Sequence, residues 1–470
     1  MSYFAPRSIA LPTALLATAF AALPPRAGSA RVDGCRLGQP GDRWAQESAE
    51  ATHAPRYGAL CGAAPDGVAD SAPHPLYEAF GFSLFRDAVQ QGGGNLFLSP
   101  ASAGFALAMA YTGARGRTRD DMARSLGFDR LASDEVAAAN AQLLQSLGDQ
   151  HDVELHIANA LWSQQGVPLA REFIAATRRD FGADAQTLDL HSPDALVTIN
   201  GWVARKTNGK IPTILSGQPD PSAVLVLTNA VYFKGKWGAK FDSTAARVRA
   251  FTHADGSQVP RRMMTRTGTY AIRSANHVAV LRLPYSGNRF SLYVMLPDSG
   301  AGLDAIYRWL DPSNWDALVT HGLATVPVHV VLPRFTIRTG MMLNSALKRL
   351  GMSSAFSASE ADFSGMMHPA PGAGAAAGAA SGDAAGDAAG DASGAQGRGR
   401  FAISDVQQQT FIEVTEEGTE AAAATAVTVT ASAVRQVPEP VQFIADHPFV
   451  AVLRDDHTGA ILFIGQVVDP

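Results

Sequence analysis

Two cysteines in 470 residues leave no disulfide framework on which a fold could rest. They stand at Cys35 and Cys61, ahead of the first long amphipathic stretch. In an oxidising compartment they would close one loop, worth roughly 3 kcal/mol by chain entropy; the alternative is two free thiols. Charged residues are scarce at 17% and the net charge is -5, with basic residues only in short pairs such as Arg261-Arg262. That balance argues against a nucleic-acid or anionic-membrane partner. Beyond the amino terminus no apolar run approaches the roughly 20 residues of a membrane span. Catalytic signatures are lacking as well: there is no Gly-x-Ser-x-Gly elbow, His-Glu-x-x-His pair or phosphate loop, and Gly372-Ala373-Gly374 lies in low-complexity sequence. With histidines merely scattered, neither an enzyme, a metal nor a cofactor is expected.

What is present begins with a leader. Arg7, the apolar run Ile9 to Leu23 and the small residues Ala27-Gly28-Ser29-Ala30 read as a signal peptide over residues 1–30, cleaved after Ala30. The expected location is secreted or periplasmic, with no membrane contact after cleavage. Residues 31–74, rich in Gly, Pro and Ala, read as an irregular extension. The remaining 75–470 carries the folded part: the hydrophobic fraction of 46% is that of a globular chain, and length alone suggests about three domains, a soft prior that a single large mixed fold can override. The Ala- and Arg-rich style fits a bacterial exported protein.

Within that domain Phe80, Leu84, Phe85 and Ala88 recur at helical spacing. Ser99-Pro100 is a cap followed by a first-turn proline, and the helix it opens is apolar on every side from Ala101 to Tyr111, as a buried central helix would be. Thr228 to Phe233 and Leu292 to Leu296 are short apolar runs of the kind found in covered strands. Helical and strand patterns alternate without regular βαβ repetition, so the fold class is α+β. Residues 367–400 are almost wholly Gly, Ala, Asp, Ser and Pro, with Gly382-Asp383-Ala384-Ala385 repeated at Gly386-Asp387-Ala388-Ala389. The repeat lacks the apolar position of a calcium-binding β-roll and reads as a flexible insertion. Each doubling of such a loop costs only about 0.6 kcal/mol.

The most telling stretch is Glu416-Glu417-Gly418-Thr419-Glu420-Ala421-Ala422-Ala423-Ala424-Thr425, continued to Ser432. Thr419, Ala421, Ala423, Thr425, Val427 and Val429 alternate with more polar positions, which is the pattern of a half-buried strand. Yet Pro438 and Pro440 close the segment as an exposed loop. A loop with the pattern of a buried strand suggests a conformational switch.

This hinge resembles that of the serpins, and other signatures agree in order. Asn95-Leu96-Phe97-Leu98-Ser99-Pro100-Ala101-Ser102, Leu227-Thr228-Asn229-Ala230-Val231-Tyr232-Phe233-Lys234-Gly235-Lys236-Trp237, Asp446-His447-Pro448-Phe449 and Ile464-Gly465-Gln466 all resemble family motifs. Running from about residue 75 to the end, the resemblance implies one domain over 75–470 with three β-sheets, a shell of about eight or nine helices and an exposed reactive-centre loop over 416–440, in a monomer. It implies a suicide-substrate inhibitor whose partner is a serine protease; a serpin that only binds or assists folding is the alternative. Ser99, Ser102, Asn229 and Gln408 match the cluster that holds the main sheet closed, Gln408 standing where many relatives have histidine, and Trp237 matches the residue near first insertion. Counting from Gly418 by the hinge length usual in the family, the resemblance implies a scissile bond at Ser432-Ala433, which suits an elastase-like protease. Counting back from Asp446-His447-Pro448-Phe449 puts it at Arg435-Gln436, which suits a trypsin-like one. The hinge count is preferred because it sets the length of the inserted strand.

Overall fold

Ser99 and Pro100 start the helix on which much of the packing converges. The Ser99 hydroxyl accepts a hydrogen bond from the Ser102 amide at 3.4 Å, and Pro100 supplies a first-turn residue with no amide to satisfy. The helix that follows, Pro100–Gly113, is buried on nearly every side. Gly104 is required within it, because a Cβ there would run into the Tyr77 ring.

This computed structural model describes residues 75–148, 153–167, 169–298, 300–367, 401–418 and 439–470. All of them belong to one compact unit, Pro55–Pro470. The leader, the extension, Cys35, Cys61, the insertion from residue 368 to 400, the hinge from Thr419 onward and both candidate scissile bonds lie outside the described residues.

In chain order the elements are α1 (Glu78–Val89), β1 (Leu96–Leu98), α2 (Pro100–Gly113), α3 (Gly116–Leu126), α4 (Ser133–Gly148), β2 (Val153–Gln164), α5 (Arg171–Phe181), β3 (Asp184–Leu188) and α6 (Pro193–Lys206). Then come β4 (Leu225–Gly235), β5 (Arg247–Thr252), β6 (Gln258–Ala275), β7 (Val278–Pro284), β8 (Phe290–Pro297), α7 (Asp304–Trp309) and α8 (Pro312–Ala317). The chain ends with β9 (Ala324–Pro333), β10 (Phe335–Met342), α9 (Asn344–Leu347), β11 (Asp405–Val414), β12 (Val441–Ile444), β13 (Phe449–Asp455) and β14 (Ile461–Val467). Strands and helices are mixed without βαβ repetition, so the α+β class holds.

The described strands hydrogen-bond as two sheets, one of five strands in the order β10-β11-β4-β2-β3 and one of nine. The arrangement expected as three sheets appears as two because β6 runs through both halves of the larger one. Its first residues pair with β5, its middle with β9 and its end with β7. In the five-stranded sheet β4 alternates faces as a two-residue period demands. Leu225 and Leu227 join the core that holds α2, while Val226, Ala230 and Tyr232 pack with Ile199, Trp202 and Val203 of α6. The sheet is therefore covered on both sides, which is why β4 reads as a nearly unbroken apolar run. Among the described residues no helix is long and apolar enough to cross a membrane.

Candidate functional site: a strand seam and its hinge

At the centre of the five-stranded sheet β4 and β11 run parallel, from Val226 opposite Asp405 to Tyr232 opposite Phe411. Both neighbours on the outer sides are antiparallel: β2 against β4 and β10 against β11. A parallel pair with a large crossover between its strands is slightly weaker per residue than an antiparallel one. This seam is held by a row of buried amides. Asn229 lies opposite Gln408 on one side and opposite Asn159 on the other. The Gln408 side chain accepts from the Ser99 amide at 3.0 Å, and donates to the Ser99 carbonyl at 3.1 Å and to Asn229 Oδ1 at 2.6 Å. Asn229 in turn donates to Ser102 Oγ and Asn159 Oδ1. Thr410, next on the same face, donates to the Phe97 carbonyl at 2.9 Å. The row thus ties β11, β4 and β2 to the start of α2 in a site closed to water, where directional bonds fix register and each unsatisfied group is costly. Near the far end of the seam, burial holds the Asp405 carboxyl above the usual carboxylate range, opposed by a hydrogen bond from Asn344.

The other end of the seam is a wedge. Pairing stops at Phe411 and Tyr232, although Ile412–Val414 and Phe233–Gly235 continue as strand on either side. Past Val414 the chain turns sharply, with Thr415 and Gly418 exchanging backbone hydrogen bonds at 2.8 and 3.2 Å. Gly418 forms a bridge to Lys236, just beyond β4. Its φ of 124° and its contact with Gly235 O leave no space for a Cβ, so only glycine fits this reversal. Trp237 pins the turn: its indole N–H donates to the Thr415 carbonyl at 2.8 Å, its amide to the Glu417 carbonyl at 3.1 Å, and its ring stacks on Tyr285 at 4.4 Å. The Glu416 carboxylate, 2% exposed, pairs with Arg334 at 2.5 Å and faces Arg262 at 3.7 Å. Glu417 pairs with Lys240 at 2.6 Å. The hinge is therefore clamped to the mouth of the seam by stacking, backbone bonds and charge.

A strand seam closed by amides, with a clamped glycine turn at its open end, has a counterpart among known proteins. The family described as Serpin (serine protease inhibitor) matches residues 76–470. This chain belongs to the serpin family. It is 34% identical to the human leukocyte elastase inhibitor over 80% of this chain and 93% of that one. It is likewise 34% identical to an uncharacterized serpin-like protein of Thermococcus kodakarensis, over 83% of this chain and 84% of the relative. Among solved structures, that of the thermophilic serpin Tengpin in its native state superposes with a TM-score of 0.73 at 25% identity, covering 88% of this chain and 98% of that one. Human thyroxine-binding globulin shares the fold, with a TM-score of 0.71 at 23% identity over 84% of this chain and 98% of that one.

Of the residues singled out from the serpin motifs, Ser99, Ser102, Asn229 and Gln408 meet in one network. Trp237 stands apart from them, at the hinge end. Glu416, Glu417 and Gly418 are the described part of the hinge. Asn159, which joins the network, is not among the residues singled out, although it opens the run Asn159-Ala160-Leu161-Trp162 and an amide in an otherwise apolar strand is a usable signal. Tyr285 and Arg334 stand in Leu283-Pro284-Tyr285 and Leu332-Pro333-Arg334-Phe335, which also resemble family motifs, but their contacts with the hinge, like those of Arg262 and Lys240, carried no local signal because the partners lie far away in the chain.

Proposed function

We propose that this serpin is an exported inhibitor that is consumed by the serine protease it traps. The observation that carries the reading is the turn at Thr415–Gly418, which aims the chain after β11 back along the mouth of the β4/β11 seam. A strand continuing from it would lie antiparallel to both neighbours, replacing the sheet's central parallel pair with two antiparallel ones. The protease serine attacks the carbonyl carbon of Ser432, the peptide bond to Ala433 breaks, and the amine of Ala433 leaves with a proton while the ester to the protease remains. Freed at that point, the segment from Gly418 to Ser432 would enter the seam, a strand of about 45–50 Å at roughly 3.3 Å per residue, and carry the acyl-enzyme with it. A dozen new ladder bonds at about 1 kcal/mol each offset the lost amide row and yield on the order of 10 kcal/mol. Distorting the protease's oxyanion hole then stalls hydrolysis, since one lost donor costs about 10²–10³ in rate. Thr419, Ala421 and Ala423 suit insertion because none brings bulk or charge inward. The amide row is the lock on the seam, and the Trp237 clamp is the place where opening starts.

An elastase-like target is favoured by the small residues around Ser432 and by the name of the human relative. Export is supported by the leader-like amino terminus. The test is to mix the mature protein with elastase-like and trypsin-like proteases and look for a covalent complex that survives denaturant. Mass spectrometry of the released carboxy-terminal peptide locates the bond: a peptide beginning at Ala433 is expected, one beginning at Gln436 from a stable trypsin complex moves the bond to Arg435-Gln436. Turnover without any complex, by every protease tried, would instead support a serpin that binds without inserting.

A further inference from the structure

The amide row holds the seam on the face towards α2. The opposite face, towards α6, carries a second row that the proposed function leaves unused. It crosses four adjacent strands in consecutive register: His156 on β2 lies opposite Tyr232 on β4, Tyr232 opposite Phe411 on β11, and Phe411 opposite Arg338 on β10. The His156 and Tyr232 rings stack with centroids 5.9 Å apart at 20°, and the Tyr232 and Phe411 rings lie 5.9 Å apart at 30°. Tyr232 and Phe411 are both buried, packed with Ile199, Trp202 and Val203 of α6. The Arg338 guanidinium sits 4.5 Å from the centroid of the Phe411 ring, and no carboxylate pairs with it among the described residues. On the other side the Lys210 ammonium, in the turn after α6, lies 5.7 Å from the centroid of the Tyr232 ring. That turn is tied to β2 as well: Asn208 donates to Glu154 Oε1 at 2.9 Å, and His156 Nε2 lies 2.8 Å from the same oxygen.

Tyr232 and Phe411 are the last pair of the parallel β4/β11 ladder, at the mouth beside the hinge clamp. A strand entering from the clamp therefore meets them before it meets Asn229 and Gln408. As it enters, β4 stays with β2 and β11 with β10, because each of those antiparallel pairs lies outside the seam. Of the contacts in the row, only that between Tyr232 and Phe411 crosses the seam. Insertion takes β4 and β11 from one strand spacing, about 4.8 Å, to two, and so parts the rings. A cation over a ring is drawn to its negative face, so Lys210 and Arg338 each fix the plane of one ring. We propose that Tyr232 and Phe411 form a second latch on the seam, parted before the amide row, and that His156, Lys210 and Arg338 are positioning residues that hold the two rings against each other. The latch sets how fast the seam opens after the protease has attacked, and in that effect it rests on the inhibitory reading above.

The rate of covalent complex formation with an elastase-like protease, at saturating protease so that the steps after attack limit it, reads the latch. Phe411→Leu keeps an apolar side chain and removes the ring, so the rate should rise about two- to tenfold, whereas Phe411→Tyr should keep the wild-type rate. Tyr232→Leu should give a similar rise, and the double variant should be no faster than the faster single one, because the same contact has been removed once. Arg338→Met, on the exposed edge strand, should raise the rate about twofold, and not at all in the Phe411→Leu background. An unchanged or slower rate for Phe411→Leu, a rise that Phe411→Tyr shares, or effects that multiply in the double variant would each overturn the latch. If neither buried variant folds, Arg338→Met decides alone, and a wild-type rate overturns the proposal. A chain that forms no complex with any protease counts against the proposed function. The latch is then read from denaturant unfolding of the intact protein, where non-additive losses for Arg338→Met and Phe411→Leu support it and additive ones overturn it.

Discussion

The two sheets are buried to a similar depth but are held by different chemistry. In β8, at the middle of the nine-stranded sheet, every residue from Phe290 to Pro297 is buried and only Ser291 is polar. In the five-stranded sheet the strands at the centre carry Asn159, Asn229, Gln408 and Thr410 on one buried face. Apolar packing is non-directional and close to a crystal in density, so the larger sheet is a scaffold that gains nothing by changing partners. The amide row is directional and modest in net stability, so it fixes a register without making that register final. On the inhibitory reading proposed above, the larger sheet stays as it is and the smaller one changes partners.

The sharpest way to break this comparison is at the first inserting residue. Thr419→Arg would carry an unpaired charge into the centre of the five-stranded sheet at a cost of several kcal/mol, so insertion should lose to deacylation and inhibitor become substrate. Gel analysis of the reaction with protease should show cleaved chain and no complex; complex at unchanged stoichiometry would sink the insertion model. Next in size is the effect of cleavage itself. If a new central strand adds on the order of 10 kcal/mol, loop-cleaved protein should melt on the order of 10 °C above intact protein. An equal melting temperature would mean that the seam never opens.

A pair of substitutions separates the sheets more finely. Leu292→Ala, in the fully buried β8, should cost about 2–5 kcal/mol in intact and cleaved protein alike, because the scaffold is common to both. Asn229→Ala should cost about 1–3 kcal/mol in the intact form and much less after cleavage, when the row has already been parted. Equal losses in the two forms for Asn229→Ala, read by thermal unfolding, would remove the amide row from its role as lock.

A further expected effect concerns pH and belongs to the scaffold. Glu78, at the start of α1, is 2% exposed, and neither carboxylate oxygen has a hydrogen-bond partner. Burial pushes its pKa up to about 8, with the Asp316 charge adding and Arg454 opposing. Unfolded, the same group titrates near 4.5, so between these values the unfolded chain releases a proton that the folded chain keeps. Stability from this group should fall as pH rises through that window, and Glu78→Gln should flatten the dependence of melting temperature on pH between about 5 and 8. The seam, closed by Gln408 rather than an imidazole, should show no matching change in the rate of complex formation that depends on position 408.

Local rules made much of this protein legible from its residues. The cap at Ser99-Pro100, the all-round apolar α2 and the covered strands β4 and β8 each follow from a period or a cap within a few neighbours. The α+β class followed from the order of those patterns. Tertiary structure alone decided which residues meet. Asn159, Asn229 and Gln408 become one row only because three strands from distant parts of the chain adopt a single register, and Glu416 finds Arg334 and Arg262 only after β11, β9 and β6 have been placed. Periodicity says which face a side chain takes, whereas register says what it faces, and register is set by pairing between strands that no local pattern connects.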